Sequence, residues 1–120
     1  LFEYVVEQLA PLGLAFIHII EGATGGPREL PDRPFDYDAL KAAYRRAGGK
    51  GAWMVNNNYD LPLAESAVAE GDDLVAFGRP FIANPDLVRR LREKAPLNTL
   101  DKATLYGGGA KGYTDYPALA

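Results

Sequence analysis

Three short apolar runs limit what this chain can become. LAFIHII (14–20), GAWMV (51–55) and DLVAF (73–77) are rich in β-branched and aromatic residues and carry no charge in their interiors. Runs of this kind read as strands buried on both faces, as in a parallel sheet. Helical spacing fills the segments between them. LFEYVVEQLA (1–10) sets Leu1, Tyr4, Val5, Leu9 and Ala10 against Glu3, Glu7 and Gln8, and Pro11 and Gly13 end it. YDALKAAYRRA (37–47) has Asp36 or Asp38 as its N-cap and stops at Gly48-Gly49. LPLAESAVAEG (61–71) follows Asp60 as N-cap and ends at Gly71. A last helix is expected after Asn84 as cap, with Pro85 at its first position and Asp86 beside the positive dipole end. EGATGGPRELPDRP (21–34) is a long loop, and 96–120 is a turn-rich tail.

The order is therefore α-β-α-β-α-β-α. Alternation of this kind gives either an open doubly wound sheet or a (β/α) barrel. Three strands cannot close a barrel, which takes eight, and a three-stranded sheet alone leaves two edges bare.

Composition removes several classes of function. A formal net charge of -3 argues against general nucleic-acid binding, which needs clustered Lys and Arg. With no cysteine there is neither a disulfide framework nor thiolate chemistry, which fits a reducing, cytoplasmic setting. No apolar run approaches the roughly 20 residues of a membrane span, so no membrane partner is expected. His18 is the only histidine, so neither a Ser-His-Asp triad nor a multi-histidine metal site can be built from these residues. His18 itself is expected to be a structural, hydrogen-bonded residue within its strand. Arg89, Arg90 and Arg92 read as a solvated helix face.

In (β/α) barrels the reacting groups sit on the loops after the strands, and a phosphate site is commonly built after strands seven and eight. NNNYD (56–60) and GRPFIANP (78–85) follow the second and third runs here. Asparagine tolerates left-handed backbone, which turns successive N–H groups toward one anion. Gly78 allows close backbone approach. Arg79 carries an always-charged planar fork that matches two phosphate oxygens. Taken alone, NNNYD also reads as a polar turn capping a helix, and Arg79 as a surface ion-pair partner.

The combination of FGRPFIANPDL with YGGG-x-x-GYTDYP, set in DLVAFGRPFIANPDLVRRLREKAPLN…TLYGGGAKGYTDYP, closely resembles the C-terminal end of the old yellow enzyme family. The resemblance runs over essentially the whole chain, includes LAFIHIIEG, and extends to N-ethylmaleimide reductase-like members. It implies the C-terminal part of a TIM barrel, about strands 6–8 with their helices. Residues 1–95 would form the last three βα units, and 96–120 a tail packing near the flavin site. It implies FMN as cofactor and NADH or NADPH as reductant. The substrate would be a small-molecule activated alkene, reduced by an ene reductase. Carried over by position, Gly78 and Arg79 would hold the FMN phosphate. Asn57 and Asn58 would sit where the preceding loop offers N–H groups to it. Tyr106 would line the substrate side of the flavin. Many members have glycine or alanine where this chain has three asparagines.

The family's His-His or His-Asn pair and its proton-donating tyrosine have no match here. The chain also begins at Leu1. The expectation is a C-terminal fragment of a longer enzyme, inactive alone and holding no catalytic residue. The alternatives are a truncated or partner-dependent half barrel, or a related flavin-barrel dehydrogenase.

Overall fold

A computed structural model describes residues 1–120 and divides into two compact units, Leu1–Ala76 and Phe77–Ala120. The first is an α/β unit. Helix α1 (Phe2–Leu9) runs into a 3-10 turn, and the chain reverses at Gly13 in the left-handed region. Strand β1 (Phe16–Ile20), helix α2 (Tyr37–Arg46), strand β2 (Ala52–Asn56), helix α3 (Leu61–Ala69) and strand β3 (Leu74–Ala76) follow. The three strands form one parallel sheet in the order β1-β2-β3. Ile17 faces Trp53 and Ile19 faces Val55 in the register, and Val55 in turn faces Val75.

Of the two candidate caps for α2, Asp36 takes the role and accepts the Ala39 N–H at 2.8 Å. Asp60 does the same for α3, accepting from Leu63 at 2.9 Å. Both satisfy first-turn N–H groups that the helix itself cannot.

The core lies on the helix side of the sheet. Tyr44, Trp53 and Val55 are fully buried, and the Tyr44 and Trp53 rings lie 5.9 Å apart. Tyr44 presses on the backbone of the α2–β2 turn. A Cβ at Gly49 would collide with the Tyr44 ring, and one at Gly51 with the Leu14 carbonyl oxygen. The Gly51 N–H donates to the Tyr44 hydroxyl at 3.0 Å. Asp73 ties the sheet to α2, its carboxylate accepting the Trp53 N–H at 2.7 Å and Arg45 at 2.8 Å.

Burial on both faces, expected of these strands, holds on one face only. Phe16, His18 and Ile20 alternate with buried Ile17 and stand exposed, as does Leu74 on β3. His18 lies on this open face and its imidazole forms no hydrogen bond within the chain, against the expectation of a satisfied structural histidine. The reason is that α1, α2 and α3 cover a single side of the sheet.

The second unit opens with helix α4 (Arg79–Ala83), where the sequence read as loop. Pro80 sits at the start of a helix, where its missing N–H costs nothing. Helix α5 (Leu87–Glu93) follows, and its N-cap position is held by Asp86, not Asn84. Asn84, almost fully buried, is used otherwise. Its amide donates to the Pro80 carbonyl at 2.8 Å and its oxygen accepts the Asn98 N–H at 2.7 Å.

Arg90 is not part of a solvated face. It is 4% exposed, and its guanidinium reaches Asp86 at 2.7 Å, the Pro96 carbonyl at 2.6 Å and the Pro117 carbonyl at 2.9 Å. The other Asp86 oxygen accepts the Leu119 N–H at 2.7 Å. That bond and the Arg90 guanidinium hold the Asp86 carboxyl below its usual range. Tyr116 also pins the tail by accepting the Asp101 N–H at 2.8 Å. No helix of the chain is long and apolar enough to cross a membrane.

Candidate functional site

At the C-terminal end of β2 the backbone leaves extended geometry. Asn57 has φ 110° and Asn58 φ 53°, both in the region that few non-glycine residues enter. Asparagine is the side chain best suited to that step, because its short amide can bond locally. The amides of both turn back into the chain. Asn57 Nδ2 donates to the Glu21 carbonyl at 2.6 Å and to the Ala23 carbonyl at 3.1 Å. Asn58 Nδ2 donates to the Gly26 carbonyl at 2.9 Å. The backbone N–H groups of Asn58 and Tyr59 meet no acceptor within the chain.

Below this turn lies a group that sequence reading did not single out. Glu21, at the end of β1, is 6% exposed. Its carboxylate accepts the Tyr59 hydroxyl at 2.7 Å and lies 3.6 Å from the Arg28 guanidinium. Arg28 also sits 5.5 Å from the centre of the Tyr59 ring, within reach of a cation–π attraction. Burial and the bond to Glu21 push the Tyr59 hydroxyl far above its usual range, so it remains a proton-bearing donor. The signal available in the sequence was a charged residue closing an apolar run, Ile20-Glu21, where a strand otherwise ends on a turn residue.

In the second unit, Gly78 is exposed and Arg79 half-buried. A Cβ at Gly78 would meet nothing within 4 Å, so the space beside this backbone is open. The ion pairs of the chain engage Arg28, Lys41, Arg45, Arg89 and Arg90, and Arg79 takes part in none. Arg33, Arg46 and Arg92 are likewise unpaired but exposed. Arg79 is thus the one arginine that gives up part of its water without gaining an internal acceptor, which suits an external anion. The surface ion pair that served as its ordinary explanation is absent.

Tyr106 stands in the tail ahead of Gly107, Gly108 and Gly109, with φ 60° and 74% of its surface exposed. Its ring is free to cover something other than this chain. No group of three His, Cys, Asp or Glu side chains converges to hold a metal ion.

Known proteins share this sequence and fold over nearly the whole chain. The model of the NADH:flavin oxidoreductase / NADH oxidase family matches residues 3–98. Chanoclavine-I aldehyde reductase of Penicillium roqueforti is 40% identical over 120 residues, covering 96% of this chain and 31% of that protein. 12-Oxophytodienoate reductase 2 of Arabidopsis thaliana is 36% identical over 118 residues, covering 97% of this chain and 30% of that protein. Among solved structures, the old yellow enzyme homologue of Zymomonas mobilis superposes with a TM-score of 0.84 at 38% identity, covering 98% of this chain and 32% of that one. The chain spans about a third of the length of these relatives. In a (β/α)8 barrel the helices form the outer ring, so the sheet face away from them, the one left open here, is the interior face. On sequence and fold alike, the chain belongs to the NADH:flavin oxidoreductase / NADH oxidase family, the old yellow enzymes, and its three-stranded parallel sheet is part of that family's (β/α)8 barrel.

Proposed function

We propose that this chain is the phosphate-gripping portion of an FMN-dependent oxidoreductase that uses NADH or NADPH to reduce activated C=C bonds. The observation that carries the reading is Arg79, half-buried and without an internal acceptor, beside the open space at Gly78. The arginine supplies two parallel donors to phosphate oxygens. Gly78 lets the flavin's ribityl-phosphate approach without meeting a side chain. Asn57 and Asn58 belong to the same function through their backbone, since the N–H groups beyond the Asn57–Asn58 step are free to donate to an anion.

Bound FMN supplies hydride transfer between the nicotinamide and the alkene. The chain's own residues bind and orient it. Residues 1–95 contribute the last three βα units of the barrel, and 96–120 a tail whose Tyr106 lines the substrate side of the flavin. Gripping phosphate is binding work. Hydrogen-bonding the substrate's oxygen and donating a proton need positioned groups that this chain does not carry. Taken by itself it is inactive, and the complete enzyme carries the reaction.

Replacing Arg79 by Ala in the full-length enzyme should weaken FMN binding by about 100-fold, the loss expected for a charge-assisted bidentate contact. Flavin content after extensive dialysis measures it, and full retention by the variant would overturn the assignment. A second reading, a half barrel that works only with a partner chain, draws on the open sheet face. Size and flavin content of the purified protein separate the two.

A further inference from the structure

The loop after β1 and the turn after β2 are joined by more bonds than either needs to hold its own shape. Within the loop, Ala23 N–H donates to the Pro27 carbonyl at 3.0 Å and Gly26 N–H to the Ala23 carbonyl at 2.8 Å, closing a tight ring. Gly22, with φ 67°, lies against this ring, and a Cβ there would collide with the carbonyl oxygens of Pro27 and Arg28. Its N–H donates to the Tyr37 hydroxyl at 2.7 Å, which anchors the loop on α2. Three carbonyls of this fixed loop, those of Glu21, Ala23 and Gly26, then hold the amides of Asn57 and Asn58. From beneath, the Glu21 carboxylate holds Tyr59.

We propose that the 21–28 loop is a brace for the flavin-phosphate turn, with Glu21, Arg28 and Tyr59 as positioning residues, and with Asn57 and Asn58 acting through their side chains on their own backbone. The proposal rests on the reading that this turn faces the FMN phosphate. Its physical logic is preorganisation. Left-handed backbone at two successive non-glycine residues costs energy. A turn held open by amide bonds meets that cost before the ligand arrives. Charge fits as well. A bare carboxylate next to a phosphate turn would repel the ligand, and Glu21 is buried, hydrogen-bonded by Tyr59 and paired with Arg28. Two of the three successive asparagines, Asn57 and Asn58, thereby gain a role: their amides reach the brace.

The test is a pair of titrations on the flavin-free full-length enzyme, one with FMN and one with riboflavin, each read by quenching of flavin fluorescence. Riboflavin keeps the ring system and ribityl chain and lacks the phosphate, so the ratio of the two Kd values isolates the phosphate contacts. Asn58→Ala removes an exposed bond and leaves the buried ones in place. It should weaken FMN about tenfold, the order expected for one lost positioning bond, and leave riboflavin unchanged. Tyr59→Phe should act in the same direction from the carboxylate end. A wild-type ratio in either folded variant, or equal weakening of both ligands, overturns the brace. Should Tyr59→Phe fail to fold, Asn58→Ala decides alone. If the unaltered enzyme binds riboflavin as tightly as FMN, the phosphate reading falls, and the brace with it.

Discussion

In Leu1–Ala76 backbone polar groups pair mainly with one another, along a parallel ladder and three helices, and the interior is aromatic and aliphatic. In Phe77–Ala120 two short helices and a tail leave many carbonyls without ladder partners, and side chains supply the donors. Arg90 serves the carbonyls of Pro96 and Pro117, and Asn98 those of Ala83 and Pro117. The first unit therefore draws its stability from area removed from water. The second draws it from a polar network whose members are costly to lose one at a time.

The two should fail differently. Trp53→Ala removes the largest fully buried side chain and should cost about 3–5 kcal/mol. Urea unfolding of the full-length protein would show the midpoint falling for the whole domain, and a loss under about 1 kcal/mol would mean that the sheet's packing is not what holds it. Arg90→Ala should cost about 3 kcal/mol, because the part-buried Asp86 carboxylate and two carbonyls lose a buried donor together. Here the damage should be local. Limited proteolysis should open 96–120 while the fluorescence of Trp53 stays native. A tail as resistant as the wild type's would make the network ornamental.

The smallest effect is one of pH. Asp86 has its folded-state pKa lowered by the Leu119 N–H and by Arg90. Its contribution is present above the ordinary carboxylate value, about 3.9, and is lost as pH falls through the lowered folded value. Acid should thus release the tail before it melts the sheet. Hydrogen exchange of tail amides at pH 5 and pH 3 would show it, and Asp86→Asn should lose the difference between the two.

The contrast also explains how much could be read in advance. Strands and caps of the first unit were legible because their signals are local: an apolar run, or an aspartate three residues before the N–H it accepts. Family resemblance carried the fold class. The second unit hid its design because its bonds span the sequence. Nothing near Arg90 announces that Pro117, twenty-seven residues on, will need a donor. Helix α4 was missed because Gly-Arg-Pro reads as a turn, although proline also begins helices. Glu21 and Tyr59, thirty-eight residues apart, are likewise visible only once the strands are side by side. Asn57 and Asn58 take the left-handed backbone that asparagine tolerates, while their inward-turned amides left no trace in the local sequence.

Tyr44 carries a consequence of another kind. Its ring fills the volume that a side chain at 49 would take, and its hydroxyl receives the Gly51 N–H. Positions 44 and 49 are thus not free to vary one by one. Enlarging Gly49 is harmful while the tyrosine is present, and shrinking the tyrosine leaves a void that only enlargement elsewhere could fill. Gly51 is bound more tightly still, because the Leu14 carbonyl excludes a side chain there whatever stands at 44.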